Sequence, residues 1–332
     1  MAEDVRIPRR LLIAVGGNAI QPAGMRGTSE EQVTVAANTG RSLLPILQLD
    51  NELVITHGNG PAVGKVLMRQ ALAQPQVVPM SLDICVASTQ GATAYILGQA
   101  FENALREAGN PRHVVGLVTQ VEVSADDPAL SRPTKPVGYF FTKEQADGFT
   151  REMGWTMRED AGRGWRLVVP SPIPRHVCDI SLVEALISRG TVVIAAGGGG
   201  VPVVRDARGV RHGIEAVVDK DLTSALMANI LGVEVMMILT AVSKVAINFG
   251  KPDQRELDRV TLSQAKRYFD EGHFHEGSMG PKIRSAIGFI EGGGKRAIIA
   301  HLEEAMSALR GEAGTHIVPD LPDEFEVAAV SG

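Results

Sequence analysis

The chain is poor in aromatic side chains, in cysteine and in long apolar runs. Phe, Trp and Tyr make up only 4% of its 332 residues, which is too few for a base-stacking platform. The net charge of -5 also argues against a general nucleic-acid binder, although a local cationic pocket is still allowed. The two cysteines, Cys85 and Cys178, are far apart and lack metal-type spacing. They form no disulfide framework, and a reducing cytoplasm suits them. No apolar run approaches the roughly 18 residues that a membrane span requires. Arg9-Arg10 before Leu11–Val15 imitates a signal peptide faintly. The apolar run is too short, however, and passes straight into Gly16-Gly17-Asn18.

Glycine is plentiful, with 36 residues, and the 44% hydrophobic content supplies a substantial core. The length suits one large α/β domain or two ordinary ones. Strand and helix patterns alternate almost throughout, which predicts a mostly parallel sheet covered on both faces. Leu11–Val15, Leu53–Thr56, Val114–Val121, Thr191–Ala196, Val233–Leu239 and Arg296–Ala300 read as buried strands. Thr315–Val318 reads as an edge strand. A helical pattern from about Glu30 to Leu49 contains Gly40 and Pro45, so a kink or early stop is expected there. Other helices are expected near 83–107, 142–153, 180–189, 262–271 and 302–309. From Ser124 to Phe141 the pattern dissolves, and about 124–170 reads as an inserted flap. Residues 319–332 read as a loose acidic tail.

Three glycine-rich turns share one position. Gly16-Gly17-Asn18, His57-Gly58-Asn59-Gly60 and Gly197–Gly200 each follow a buried strand directly. Ligands of open parallel sheets bind beyond the C-terminal strand ends. Glycine lets the backbone come close to a ligand and turn its N–H groups inward. Three such turns, two carrying an asparagine amide, read as a phosphate site. Gly277-Ser278-Met279-Gly280-Pro281-Lys282 leads into a helical face of Ile283, Ala286, Ile287 and Ile290. Pro281 suits the first turn, and Lys282 stands there beside free N–H groups. Asp219-Lys220-Asp221 precedes another helix, with Asp221 read as its N-cap. Two lysines at helix starts suggest a shared anionic ligand. Lys135 in the Pro-rich flap is a third candidate.

Familiar motifs fail on inspection. Gly58-Asn59-Gly60-Pro61-Ala62-Val63-Gly64-Lys65 misses both the dinucleotide fingerprint and the P-loop by spacing, and Val66 replaces the required Ser or Thr. His273 and His275 have no cysteines nearby, so no metal site is assigned. No G-x-S-x-G or nucleophile–base pair occurs. Phosphoryl transfer to an acceptor that is already an anion needs no such pair, since positioning and charge neutralisation carry it.

From about Leu11 to Val318 the chain resembles the carbamate kinases of the amino-acid kinase family. The resemblance rests on Val15–Ala19, Thr56–Pro61, Pro133–Gly138, Ala196–Pro202, Val218–Asp221, Asn248–Asp253 and Gly277–Lys282. It implies a three-layer αβα sandwich with an open, mainly parallel eight-stranded sheet, a small protruding subdomain and a homodimer. Residues 1–318 would form the kinase domain, with about 213–318 as its nucleotide-binding half. The implied reaction is ATP + carbamate ⇌ ADP + carbamoyl phosphate, with magnesium. Lys220 and Lys282 would neutralise the transferring phosphoryl group, Asp221 would orient them, and Lys135 would close the flap over the acceptor. Gly16, Gly17, Asn18, Gly58, Asn59 and Gly60 would hold phosphate and carbamate. Gly198, Gly199, the segment Thr240, Ala241 to Lys244, Met279 and Pro281 would line the nucleotide. Another kinase of the family and a non-catalytic nucleotide sensor are the competing readings. The Pro-Thr-Lys flap opposes the first, and Lys135, Lys220, Asp221 and Lys282 together oppose the second.

Overall fold

The computed structural model describes residues 7–17, 20–22, 24–74, 76–160, 162–275 and 278–320. An eight-stranded sheet runs through its centre. In spatial order the strands are Arg259–Thr261, Thr315–Val318, Arg296–His301, Val235–Thr240, Arg10–Val15, Glu52–His57, Val192–Ile194 and Val114–Gly116. Neighbours pair in parallel except Arg296–His301 with Thr315–Val318. The predicted α/β class with a mainly parallel sheet is therefore what the chain adopts.

Both faces of this sheet are covered. Along the first strand, Leu12 and Ala14 join one core while Leu11, Ile13 and Val15 join the other. Alternate side chains of a strand point to opposite faces, so a strand between two helical layers must be apolar throughout. That is why Leu11–Val15 has no polar residue.

Several expectations need correction. Ser29–Leu47 is helical through Gly40 and Pro45, so neither residue stops the helix early. Thr28 and Glu31 form a reciprocal capping box at its start. Gly40 is needed because Ala100 of the helix Leu82–Glu107 passes so close that a Cβ would lie 3.0 Å from its carbonyl oxygen. Pro45 sits in the last turn, where little helix remains to break, and buried Leu43, Ile46 and Leu47 hold that turn to the core. The Val114–Val121 run divides into Val114–Gly116 and Gln120–Val123, which belong to different sheets. Thr315–Val318 is not the edge strand, because Arg259–Thr261 lies outside it. Asp320 is pinned rather than loose: its carboxylate accepts the Ser263 N–H at 3.1 Å and hydroxyl at 2.7 Å. Residues 321–332 of the expected tail lie outside the described residues.

Between 135 and 169 a three-stranded sheet forms from Lys135–Phe141, Trp165–Val169 and Met157–Glu159, with the helix Lys143–Met153 against it. Phe141, Phe149 and Trp155 stack in sequence at centroid separations of 5.0 and 5.2 Å. Arg163 and Arg166 flank the exposed Phe140 ring at 5.2 and 5.1 Å. Val245–Ile247 and Arg255–Leu257 pair antiparallel as a separate two-stranded hairpin. Its base is fixed where the Val245 N–H donates to Thr315 Oγ1 at 2.9 Å.

Candidate active site

Strand register brings the glycine turns to one level. Val15 pairs with both Leu239 and His57, so Gly16 and Gly58 leave the sheet side by side, next to Thr240 at the end of its strand. The Gly16 N–H then donates to Leu239 O and the Gly58 N–H to Val15 O, each at 3.1 Å. Gly58 packs between Gly17 and the Lys220 stem, where a Cβ would meet Gly17 N at 3.1 Å and Lys220 Cδ at 3.5 Å. Asn18 and Gly277, both named from the sequence, lie outside the described residues.

Two helices begin at this edge without a side-chain cap. The helix Gly60–Ala73 starts from Asn59, whose amide instead donates to Thr89 Oγ1 at 3.0 Å in the buried interior. The helix Gly280–Glu291 starts from Met279, with Pro281 in its first turn. An uncapped start leaves the positive dipole end facing an anion. In the second helix the first N–H groups are already used, Gly280 N–H on His275 O at 2.9 Å and Lys282 N–H on Met279 O at 3.0 Å, so there Lys282 and the dipole are what remains.

A third helix, Lys220–Ile230, is capped by Asp219 and not by Asp221. Asp219 Oδ1 accepts the N–H groups of Asp221 at 2.9 Å and Leu222 at 3.4 Å. Side-chain caps bond to N–H groups two and three residues on; the helix starts at Lys220, so these are Asp221 and Leu222, while the Thr223 N–H beyond Asp221 is already given to Asp219 O at 3.0 Å. Asp221 is thus released from capping. Its buried carboxylate holds two lysines: Lys220 Nζ at 2.5 Å from Oδ1 and Lys282 Nζ at 3.3 Å from Oδ2. Ser285 donates its hydroxyl to the Asp221 carbonyl and so ties the two helices together. Ser224 Oγ donates to Lys220 O at 2.6 Å and lies 2.7 Å from Thr56 Oγ1, locking the lysine's backbone to the sheet.

Lys135 reaches the same centre from the small sheet and donates to Asp219 Oδ2 at 2.7 Å. The structure thus gathers Lys135, the adjacent Lys220 and Asp221, and Lys282, from three distant stretches of the chain. Burial pushes the Lys220 ammonium below its usual range; Asp221 pulls it back up, and Lys282 adds to the depression. Burial opposes the Asp219 carboxylate, but Lys135 and Lys220 outweigh this and hold its pKa at about 2.

His57 and Asp219 were not singled out as site residues from the sequence. His57 is fully buried, and its Nδ1–H donates to Gly58 O at 3.2 Å. Burial, aided by Lys220, lowers its pKa to about 4 against the pull of that carbonyl, so the ring is neutral. Its Nε2 has no partner among the described residues. Only tertiary packing reveals this. For Asp219 the sequence held no deciding signal, because Asp221 stands equally near the helix start with the same side chain.

Beyond Lys282 opens a cleft of about 700 Å³. Thr240, Lys244 and Met279 line it, joined by Ala246, Asn248 and Phe249 of the hairpin and by His273–His275. The other nucleotide candidates do not line this cleft, although Ala241 and Pro281 adjoin lining residues in the chain. Gly198 and Gly199 are buried behind the centre at positive φ of 64° and 95°. A Cβ on Gly198 would strike the Asn59 amide, and one on Gly199 the Val218 carbonyl. Ala241 and Pro281 are not among the lining residues.

Residues 9–301 match the model of the amino acid kinase family. A carbamate kinase of Thermococcus kodakarensis is 47% identical over 313 residues, which cover 93% of this chain and 99% of that protein. The structure of a carbamate kinase from Giardia lamblia bound to citric acid superposes with a TM-score of 0.89 at 38% identity, covering 94% of this chain and 99% of that one. The Giardia lamblia carbamate kinase bound to AMP-PNP gives a TM-score of 0.87 at 39% identity, with the same coverage. Similarity of this depth over nearly the whole chain, on a shared fold, settles kinship: the chain belongs to the amino acid kinase family and groups with its carbamate kinases.

Proposed function

We propose that the protein catalyses reversible phosphoryl transfer between ATP and carbamate, forming ADP and carbamoyl phosphate. One observation carries this reading. The buried Asp221 carboxylate presents Lys220 and Lys282 together at the end of a cleft sized for a nucleotide.

The lysines meet the negative charge that spreads over the phosphoryl oxygens during transfer. Asp221 fixes both ammonium groups in advance, so little reorganisation accompanies the reaction. In the turns at Gly16-Gly17 and Gly58–Gly60, the Gly16 and Gly58 N–H groups hold the sheet edge, and those of Gly17, Asn59 and Gly60 are offered to phosphate and carbamate. Lys135 faces the acceptor from the small sheet. No general base is required, because carbamate is already an anion. The cleft between Thr240, Lys244, Met279 and the hairpin takes the nucleotide.

Magnesium belongs to this reading as a companion of the nucleotide. Among the described residues no three His, Cys, Asp or Glu side chains cluster to cage a metal, and both Asp221 oxygens are occupied by lysines. Phosphate oxygens would therefore supply most of its ligands, as is usual for this ion. When bound, it neutralises charge on the phosphates. A cytoplasmic homodimer running in the ATP-forming direction completes the proposal. Among the described residues, no helix is long and apolar enough to cross a membrane.

An acceptor panel tests it. With MgADP, the protein should form ATP from carbamoyl phosphate but not from acetyl phosphate or an acyl phosphate of an amino acid. Turnover of one of the others in preference to carbamoyl phosphate contradicts the reading.

A further inference from the structure

Asp219 does two things with two oxygens. Oδ1 caps the helix Lys220–Ile230, and Oδ2 receives Lys135 at 2.7 Å. Capping alone does not call for an acid, since Asn or Ser would serve as well. What only a carboxylate supplies is a second, anionic oxygen for a lysine 84 residues away in the chain. The pair is mostly shielded, with side-chain exposures of 24% for Lys135 and 20% for Asp219, so water screens it weakly.

The backbone around Lys135 belongs to the small sheet, where Lys135 pairs with Val169 and Thr134 N–H donates to Val169 O at 3.2 Å. Its ammonium belongs to the main domain. A single carboxylate thus joins the small sheet to the residue directly before Lys220-Asp221. We propose that Asp219 is a positioning residue that latches Lys135 into place and sets its location relative to the Lys220–Asp221 pair. The inference rests on the proposed phosphoryl transfer for its catalytic consequence, but the latch itself is a structural claim. Asp219 stays ionised at any working pH, because Lys135 and Lys220 outweigh burial and hold its pKa at about 2.

The experiment uses the full-length protein and three variants: Asp219→Asn, Lys135→Met and the two combined. Asn keeps the cap oxygen but replaces the second oxygen with an N–H₂ group that cannot accept from an ammonium. Thermal unfolding checks that each variant is folded. Asp219→Asn should lower kcat/KM for carbamoyl phosphate by about 10- to 100-fold, the scale of a misplaced reacting group. In the Lys135→Met background the same change should cost no more than about twofold. Amide hydrogen exchange across 135–141 should quicken in Asp219→Asn and be unchanged around Leu11–Val15. An equal loss in both backgrounds would show that Asp219 acts independently of Lys135 and overturn the latch, as would unchanged exchange over 135–141. A parent protein that forms no ATP would refute the proposed reaction, and the exchange result would still decide the latch.

Discussion

Gly64 lies directly against Gly138, so closely that a methyl group on Gly64 would overlap the Gly138 backbone. Gly64 belongs to the helix Gly60–Ala73 that begins at the site, and Gly138 to the strand Lys135–Phe141 that carries Lys135. Glycine normally weakens a helix by about 1 kcal/mol relative to alanine. Here the sign reverses. Gly64→Ala is expected to lower stability by about 1–3 kcal/mol, the usual cost of overpacking. It should also displace the strand of Lys135 and depress activity. Thermal unfolding and kinetics check this; a more stable, fully active Gly64→Ala protein would show that the contact is dispensable.

Lys220 carries a pH signature. Burial depresses its pKa, so it loses its proton at a lower pH than an ordinary lysine. As pH rises through that depressed value, the charge that the proposed mechanism sets against the phosphoryl group disappears. The kcat/KM profile should therefore show an alkaline limb below 10.5, the value of a free lysine. Lys220→Arg should shift the limb upward, because guanidinium stays protonated. Lys220→Ala should cost about 10²–10³ in rate. A limb that Lys220→Arg leaves in place would assign it to another group.

His57 gives the opposite limb, in stability. Its folded pKa of about 4 lies below the unfolded value of 6.5. Between these values the unfolded chain binds the proton and the folded chain does not. Stability from the neutral ring is thus present above 6.5 and lost as pH falls toward 4. The full effect is about 3 kcal/mol. His57→Gln should flatten that part of the curve relative to the parent, measured by denaturant unfolding between pH 7 and 4. Parallel curves would place the loss on other groups.

Much of this was legible in the sequence, for reasons that can be named. Leu11–Val15 is apolar throughout and followed at once by glycine, which identifies a buried strand and a ligand-facing turn together. Lys220 and Lys282 stood out as cations placed where a helix dipole disfavours them. Legibility failed where a role depends on a distant partner. Asp219 and Asp221 look alike in the sequence. One becomes cap and latch and the other the lysine holder only because Lys135 and Lys282 arrive from elsewhere. The hairpin Val245–Ile247 with Arg255–Leu257 has strands too short for an alternating pattern to register. Strand order is similarly invisible, since Arg259–Thr261 takes the edge through pairing with Thr315–Val318. Gly40 and Pro45 suggested an early stop, but burial of their neighbours outweighed both.

In the proposed reaction, Lys220 and Lys282, held by Asp221, carry the phosphoryl transfer. The most direct test is ATP formation from MgADP and carbamoyl phosphate by the parent protein and by Lys282→Ala. Robust ATP from the parent, with a loss of about 10²–10³ in the variant, is the predicted result. A folded parent that binds ADP but forms no ATP would contradict it, as would a variant as fast as the parent.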